Sequence, residues 1–201
     1  MRNVKGNKKI IIIFMGAALV LSFSILMAQQ KTEKKIEVEA IEDIKNPEAE
    51  FEVELWVDRE EGTYKPGEEI KFFFKSSKDC YLTLIDVGTS GQVTILFPNE
   101  YQKDNKVKAG VTYSIPKEGA RYVCRAREPV GEEVVKAIAT LDETSLYEEE
   151  DVKPSTPEKP FSEFKESEKK VAKDIVIALK PVNTKRWADA EKVIKIIEEK
   201  K

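Results

Sequence analysis

Between residues 51 and 141 the apolar side chains recur at every second position, in short runs broken by turn residues. That period of two confines the segment to half-buried β-strands, because successive side chains of a strand point to opposite faces. Phe51, Val53, Leu55 and Val57 alternate with Glu52, Glu54, Trp56 and Asp58. Pro66-Gly67 then turns the chain, the proline fixing φ and the glycine admitting φ > 0. Ile70, Phe72 and Phe74 alternate with Lys71, Phe73 and Lys75. Residues 80–87, CYLTLIDV, are apolar on both parities, which predicts a central strand covered on both faces. Gly88 and Gly91 mark a hairpin whose return strand carries Val93, Ile95 and Phe97 and stops at Pro98, which has no backbone donor. Further strands are expected at 111–115, 121–127 and 133–141. Seven short strands so closely spaced predict an all-β fold, an immunoglobulin-like antiparallel β-sandwich.

The flanks follow other patterns. Arg2, Lys5, Lys8 and Lys9 precede an apolar run over residues 10–28, a basic region and a hydrophobic region in the order of an export signal. Cleavage after Ala28 gives a mature start at Gln29. The uncleaved alternative leaves residues 10–28 as an N-terminal inner-membrane anchor and the only membrane contact. Either way the remainder is expected outside the cytoplasm, periplasmic or extracellular, because the positive charges stay inside. Residues 29–50 read as a charged linker, with a short edge strand at Ile36, Val38 and Ala40. Residues 142–160 read as an exposed acidic, proline-bearing loop. Residues 161–201 are expected to complete the domain as a mixed helix and strand segment packed on the sandwich. Within it, a helix is predicted over 161–172 and a strand over DIVIALK, residues 174–180. Residues 187–198 fit either period, with strand preferred.

Charge and composition remove several classes of function. Without the leader, 30 of the 34 basic residues remain against 37 acidic ones, a formal charge of −7. Nucleic-acid binding, which depends on cations neutralising phosphates, is not expected. Histidine is absent, so Ser-His-Asp and Cys-His nucleophile pairs are excluded, as is the commonest transition-metal ligand. Two cysteines are too few for a cysteine-only zinc site. No glycine-rich phosphate loop opens a helix. No catalytic residue, metal or cofactor is assigned, and the chain is not expected to be an enzyme.

Other residues invite a role. Trp56 and Phe73 are aromatic on the parity that otherwise carries charge; they form either a binding platform or a surface that residues 161–198 fold back to cover, the latter favoured because that segment has its own apolar face to bury. Arg121, Arg125 and Arg127 share the outward parity of one expected strand; they form either an anion-binding stripe or cross-strand pairs with glutamates, the latter favoured in an acidic chain. Asp86, Asn99, Glu100, Asp104 and Asn105 supply oxygens suited to Ca²⁺, without the spacing of a known calcium loop. Cys80 and Cys124 both point inward by parity; a disulfide and two buried thiols stand as open alternatives.

Several of these residues carry a pattern. Trp56 with Asp58, Tyr64 followed by Pro66-Gly67-Glu68, Asp79-Cys80-Tyr81-Leu82, Leu96-Phe97-Pro98-Asn99 and Pro129-Val130-Gly131-Glu132-Glu133 occur in order, and Trp187-Ala188 matches the pattern's closing segment. Over residues 51–141 the chain resembles a bacterial family of exported domains, domain of unknown function 4384. The resemblance implies a β-rich extracytoplasmic domain without established catalysis, whose relatives often accompany peptidase, kinase or other signalling domains. The resulting expectation is a non-catalytic module that binds an unidentified protein or cell-envelope component. The alternatives are a carboxylate-dependent hydrolase, which a concave cluster of acids with raised pKa would favour, and a structural role in envelope assembly.

Overall fold

The computed structural model describes residues 38–198; the expected leader and the first part of the expected linker, with Ile36, lie outside the described residues. In chain order the strands are β1 (Val53–Val57), β2 (Thr63–Tyr64), β3 (Glu69–Ile70), β4 (Phe72–Ser76), β5 (Cys80–Val87), β6 (Val93–Phe97), β7 (Lys106–Val107), β8 (Tyr113–Ile115), β9 (Cys124–Arg125), β10 (Gly131–Thr140), β11 (Val152–Lys153), β12 (Ser162–Phe164) and β13 (Trp187–Ile196). One α-helix, α1 (Glu168–Leu179), lies between β12 and β13. The described chain is thus mostly β, with open antiparallel and mixed sheets and one α-helix.

β5 is central, as its doubly apolar sequence predicts. It pairs with β10 on one side and β6 on the other, inside a sheet ordered β11-β12-β6-β5-β10-β13-β2, with β7 also pairing β5. One face of this sheet carries Leu82, Leu84, Val135, Ala137, Ala188 and Ile194, which share a core with Phe72, Phe74 and Ile115 of the three-stranded sheet β1-β4-β8. The other face carries Ile85, Val87, Ile95 and Ile138, packed against Val171, Ala172, Ile175 and Leu179 of α1. Burial on both faces is why β5 lacks the simple alternation of its neighbours.

The segment after residue 160 departs from expectation in detail. Residues 162–164 form β12 rather than helix, and α1 runs from Glu168 through the predicted strand DIVIALK to Leu179. The β-branched run Ile175-Val176-Ile177 imitates a strand. The spacing of Val171, Ala172, Ile175 and Leu179 nevertheless places one apolar stripe on the sheet, and that burial overrides propensity. Pro181 then prevents further helix. β13 does not lie on a finished sheet. It is a member of one, antiparallel to β10 over ten residue pairs and parallel to β2.

Two other expectations are corrected. Residues 38–50 are packed structure in place of a linker: Val38, Ile41 and Ile44 are buried beside α1, residues 38–40 of the expected edge strand form no strand, and a short 3-10 turn follows at residues 41–43. Residues 121–127 contribute a strand only at Cys124–Arg125. The acidic stretch 142–160 is largely exposed, anchored by buried Leu146 and Val152. Among the described residues no helix is long and apolar enough to cross a membrane.

Candidate functional site

The register of β1 with β4 places Trp56 directly opposite Phe73. Their rings stack with centroids 5.6 Å apart and planes 10° apart, and the Lys71 ammonium lies 5.3 Å from the Phe73 centroid. Inward neighbours Val57, Phe72 and Phe74 are buried, so this pair belongs to the outer face of the small sheet, where Glu54 and Lys75 make a cross-strand ion pair of 3.2 Å. Residues 161–198 do not fold over it, contrary to the expectation that they would: α1 packs on the opposite face of the large sheet, and that segment contributes Lys192 alone to the hollow lined by Trp56, Asp58, Arg59, Glu60 and Phe73. Asp58 is held in place there, accepting hydrogen bonds from the Tyr64 hydroxyl (2.8 Å) and the Lys71 amide (2.9 Å). Arg59 pairs with Glu68. The result is an aromatic pair at the surface, framed by charges that are already committed.

A second feature lies at one end of the core. Asp86 on β5 is opposite Val135 on β10 and Thr94 on β6; Thr94 is in turn opposite Glu163 on β12. Residues paired across strands share a face, so Glu163, Thr94 and Asp86 form a row, and Glu133, two residues before Val135, joins it. With Ile70, Phe72 and Cys124 facing them, these groups line a cavity of about 150 Å³. The rim is fastened: Thr89 of the hairpin donates its hydroxyl to the Pro129 carbonyl at 2.7 Å, and any side chain at Gly131 (φ 150°) would meet Thr89 at 3.0 Å.

The electrostatics of this cavity are unusual. Asp86 as a residue keeps partial exposure, yet its Oδ1 is sealed and finds no hydrogen-bond donor among the described residues. Burial pushes its carboxyl well above the ordinary carboxylate range, the Glu133 charge adds to the rise, and Arg127 offsets it only in part. Glu133 is also raised by burial, against a backbone donor from Thr89 and the Arg127 charge. Burial together with the neighbouring Asp86 pushes the Cys124 thiol up to about 12, which leaves it a poor nucleophile.

The remaining candidates separate. Cys80 and Cys124 are both buried and both free. Cys80 begins β5 opposite Val107, whereas Cys124 lies by Asp86 six residues further on; that run of strand spans roughly 20 Å, beyond the roughly 7 Å limit for a bridge. The disulfide alternative is therefore discarded. The five proposed calcium ligands do not converge. Asp86 sits at the far end of β6 from Asn99, whose amide donates to the Leu96 carbonyl and the Tyr122 hydroxyl and whose Oδ1 accepts from the Tyr101 and Gln102 amides. Asp104 accepts from the Lys106 amide, Glu100 pairs with Lys103, and the Asn105 carbonyl accepts the Leu82 amide at 2.9 Å, four residues along β5 from Asp86. Asn99 is a corner residue. Arg121, Arg125 and Arg127 are all exposed, as their parity implies; Arg125 makes the favoured cross-strand pair, with Glu69 at 2.8 Å across β3 and β9, and Arg127 stands at the cavity rim. Glu133 escaped sequence reasoning; the strand pairing that brings it beside Asp86 joins positions 47 residues apart and has no local signal.

Fold and sites define a β-rich domain with an aromatic surface pair and an acidic internal cavity. The family described as domain of unknown function (DUF4384) matches residues 63–143, and this segment belongs to it, as the ordered motifs imply. Asp86, Glu133, Cys124 and Phe73 fall inside the match; Trp56, α1 and β13 fall outside. No curated protein and no solved structure matches the chain.

Proposed function

We propose that the chain is a non-catalytic, extracytoplasmic β-sandwich module that binds a protein or cell-envelope component through the outer face of β1 and β4. The stacked Trp56–Phe73 pair carries this reading. Both rings are half-buried and keep part of their surface on the outer sheet face; aromatics so placed offer an interaction surface, and aromatic residues dominate the energetics of interfaces. The basic-then-apolar leader supports export. The core shared by the two larger sheets supports a sandwich of immunoglobulin-like kind as scaffold. Crosslinked capture from the native cell envelope, with wild type beside Trp56→Ala/Phe73→Ala, tests it. A discrete partner held by wild type and lost by the double variant is expected; a partner retained equally by both contradicts the proposal.

Asp86 and Glu133 favour a second reading, a carboxylate-dependent hydrolase, since two acids with raised pKa share one cavity. Size weighs against it. About 150 Å³ is well below the roughly 300–1,000 Å³ of an ordinary ligand pocket, too little to seat both sides of a scissile bond. Capture of one small group suits the cavity better.

A further inference from the structure

We propose that the cavity under β9 is a binding site for a single primary ammonium group, with the carboxylates of Asp86 and Glu133 as its acceptors. Four observations converge. The cavity is built from three directions: β5, β6 and β10 supply Asp86, Thr94 and Glu133, the β3–β9 pair closes it with Ile70 and Cys124, and the Thr89 hairpin fixes its rim. Asp86 Oδ1 is a sealed acceptor without a donor, whereas the other buried side-chain polar atoms among the described residues have partners. A guest that brings N–H groups completes it.

The local charge balance selects a cation. Glu163 pairs with Lys153 and Arg125 pairs with Glu69, so both are committed. Glu128 stands exposed at the rim. Arg127, exposed at the rim, makes no ion pair among the described residues, and its charge offsets the burial of Asp86 and Glu133 only in part. An anion would meet these two acids directly. A metal ion is disfavoured because no group of three acidic, cysteine or histidine ligands converges among the described residues. An ammonium is compact, carries three donors and needs few acceptors, whereas a guanidinium demands a planar bidentate fork. The apolar roof of Ile70, Phe72 and Leu96 suits the methylenes that accompany such a group.

This site stands on residues of the inner face and is independent of the Trp56 surface. Its occupation requires Asp86 to ionise. The groups facing Asp86 are Glu133 from β10, Arg127 and Cys124 from the β9 segment and Glu163 from β12; the proton displaced from Asp86 goes to buffer.

The test titrates the exported chain with n-butylammonium chloride, following backbone amide shifts and, by calorimetry in buffers of different ionisation enthalpy, proton release. Saturable shifts at Asp86, Glu133 and Cys124 are expected, with proton release that grows as pH is lowered, since the raised Asp86 carboxyl must give up its proton to bind. Glu133→Gln and Asp86→Asn should each weaken binding about tenfold, the loss of one charge-assisted hydrogen bond. Asparagine reproduces the shape of the protonated Asp86, and an unchanged amide spectrum verifies the fold. Butanol, lacking charge, and tetramethylammonium, lacking donors, should fail to saturate the site. Absence of saturable shifts, equal binding of butanol, equal binding of guanidinium, or undiminished binding by both folded variants would each overturn the proposal.

Discussion

Lys136 is the most deeply buried cation among the described residues, with a side-chain exposure of 0%. It projects from β10 onto the helix-covered face and meets Asp189 at 2.7 Å and Glu191 at 3.3 Å, both on β13. Asp189 in turn accepts the Asn46 amide at 2.8 Å, so the cluster ties the N-terminal segment to β13. Lys136→Met keeps the aliphatic stem and removes the charge. Two carboxylates then share a largely dehydrated site without a cation, an arrangement that costs about 3–5 kcal/mol when one partner of a buried pair is deleted. Glu191 is 26% exposed and can turn toward water, which places the expected loss near the lower end, about 3 kcal/mol. For a domain of this size that corresponds to a fall in Tm of roughly 6–12 °C. Urea unfolding measures it directly, with an unchanged denaturant slope as the check that the unfolded state is not altered. The triple variant Lys136→Met/Asp189→Asn/Glu191→Gln should recover to within about 1 kcal/mol of wild type, since neutralising a whole buried cluster removes its desolvation cost as well. A loss below about 1 kcal/mol in the single variant, or no recovery in the triple, would refute the reasoning.

The other consequences concern titration and thiol chemistry. Because the folded Asp86 carboxyl is raised above its unfolded value near pH 4, the native state holds a proton that the unfolded chain releases, and stability falls as pH rises from about 4 toward the folded pKa. Asp86→Asn should be at least as stable as wild type at neutral pH, with its advantage fading toward about pH 4; urea midpoints across that range measure this, and a constant difference would contradict it. Unreduced protein alkylated after unfolding should gain two adducts by mass, while the native protein should gain none because both thiols are buried and raised. Absence of adducts after unfolding would mean a bridge.

The alternating strands were readable because each is half-buried: the period of two in Phe72–Phe74 and the doubled apolar parity of β5 are direct images of which faces are covered. β13 was legible only as a preference between two periods: Val193 and Ile197, which suggest a strand, stay exposed, and the buried parity is that of Ala188, Ile194 and Ile196. Residues 38–44 and 168–179 were harder. Val38, Ile41 and Ile44 sit among charged residues and acquire meaning only when Ile175 and Leu179 provide a surface for them. Tertiary burial, not local preference, decides that Ile175-Val176-Ile177 is helical. At the candidate sites parity correctly turned Trp56 and Phe73 outward, yet nothing local says which face α1 covers. The Asp86–Glu133 pairing and the separation of Cys80 from Cys124 are products of strand register over long sequence distances, and no short-range pattern encodes them.

The binding surface itself is open to a direct measurement. A photoreactive residue placed at Glu54, beside the aromatic pair, is compared in living cells with one placed at Lys169, on α1 across the domain. The account predicts a discrete crosslinked species from position 54 that disappears when Trp56→Ala/Phe73→Ala is added, and none from position 169. Crosslinks from position 169 alone, or a position-54 species indifferent to the aromatic substitutions, would contradict it.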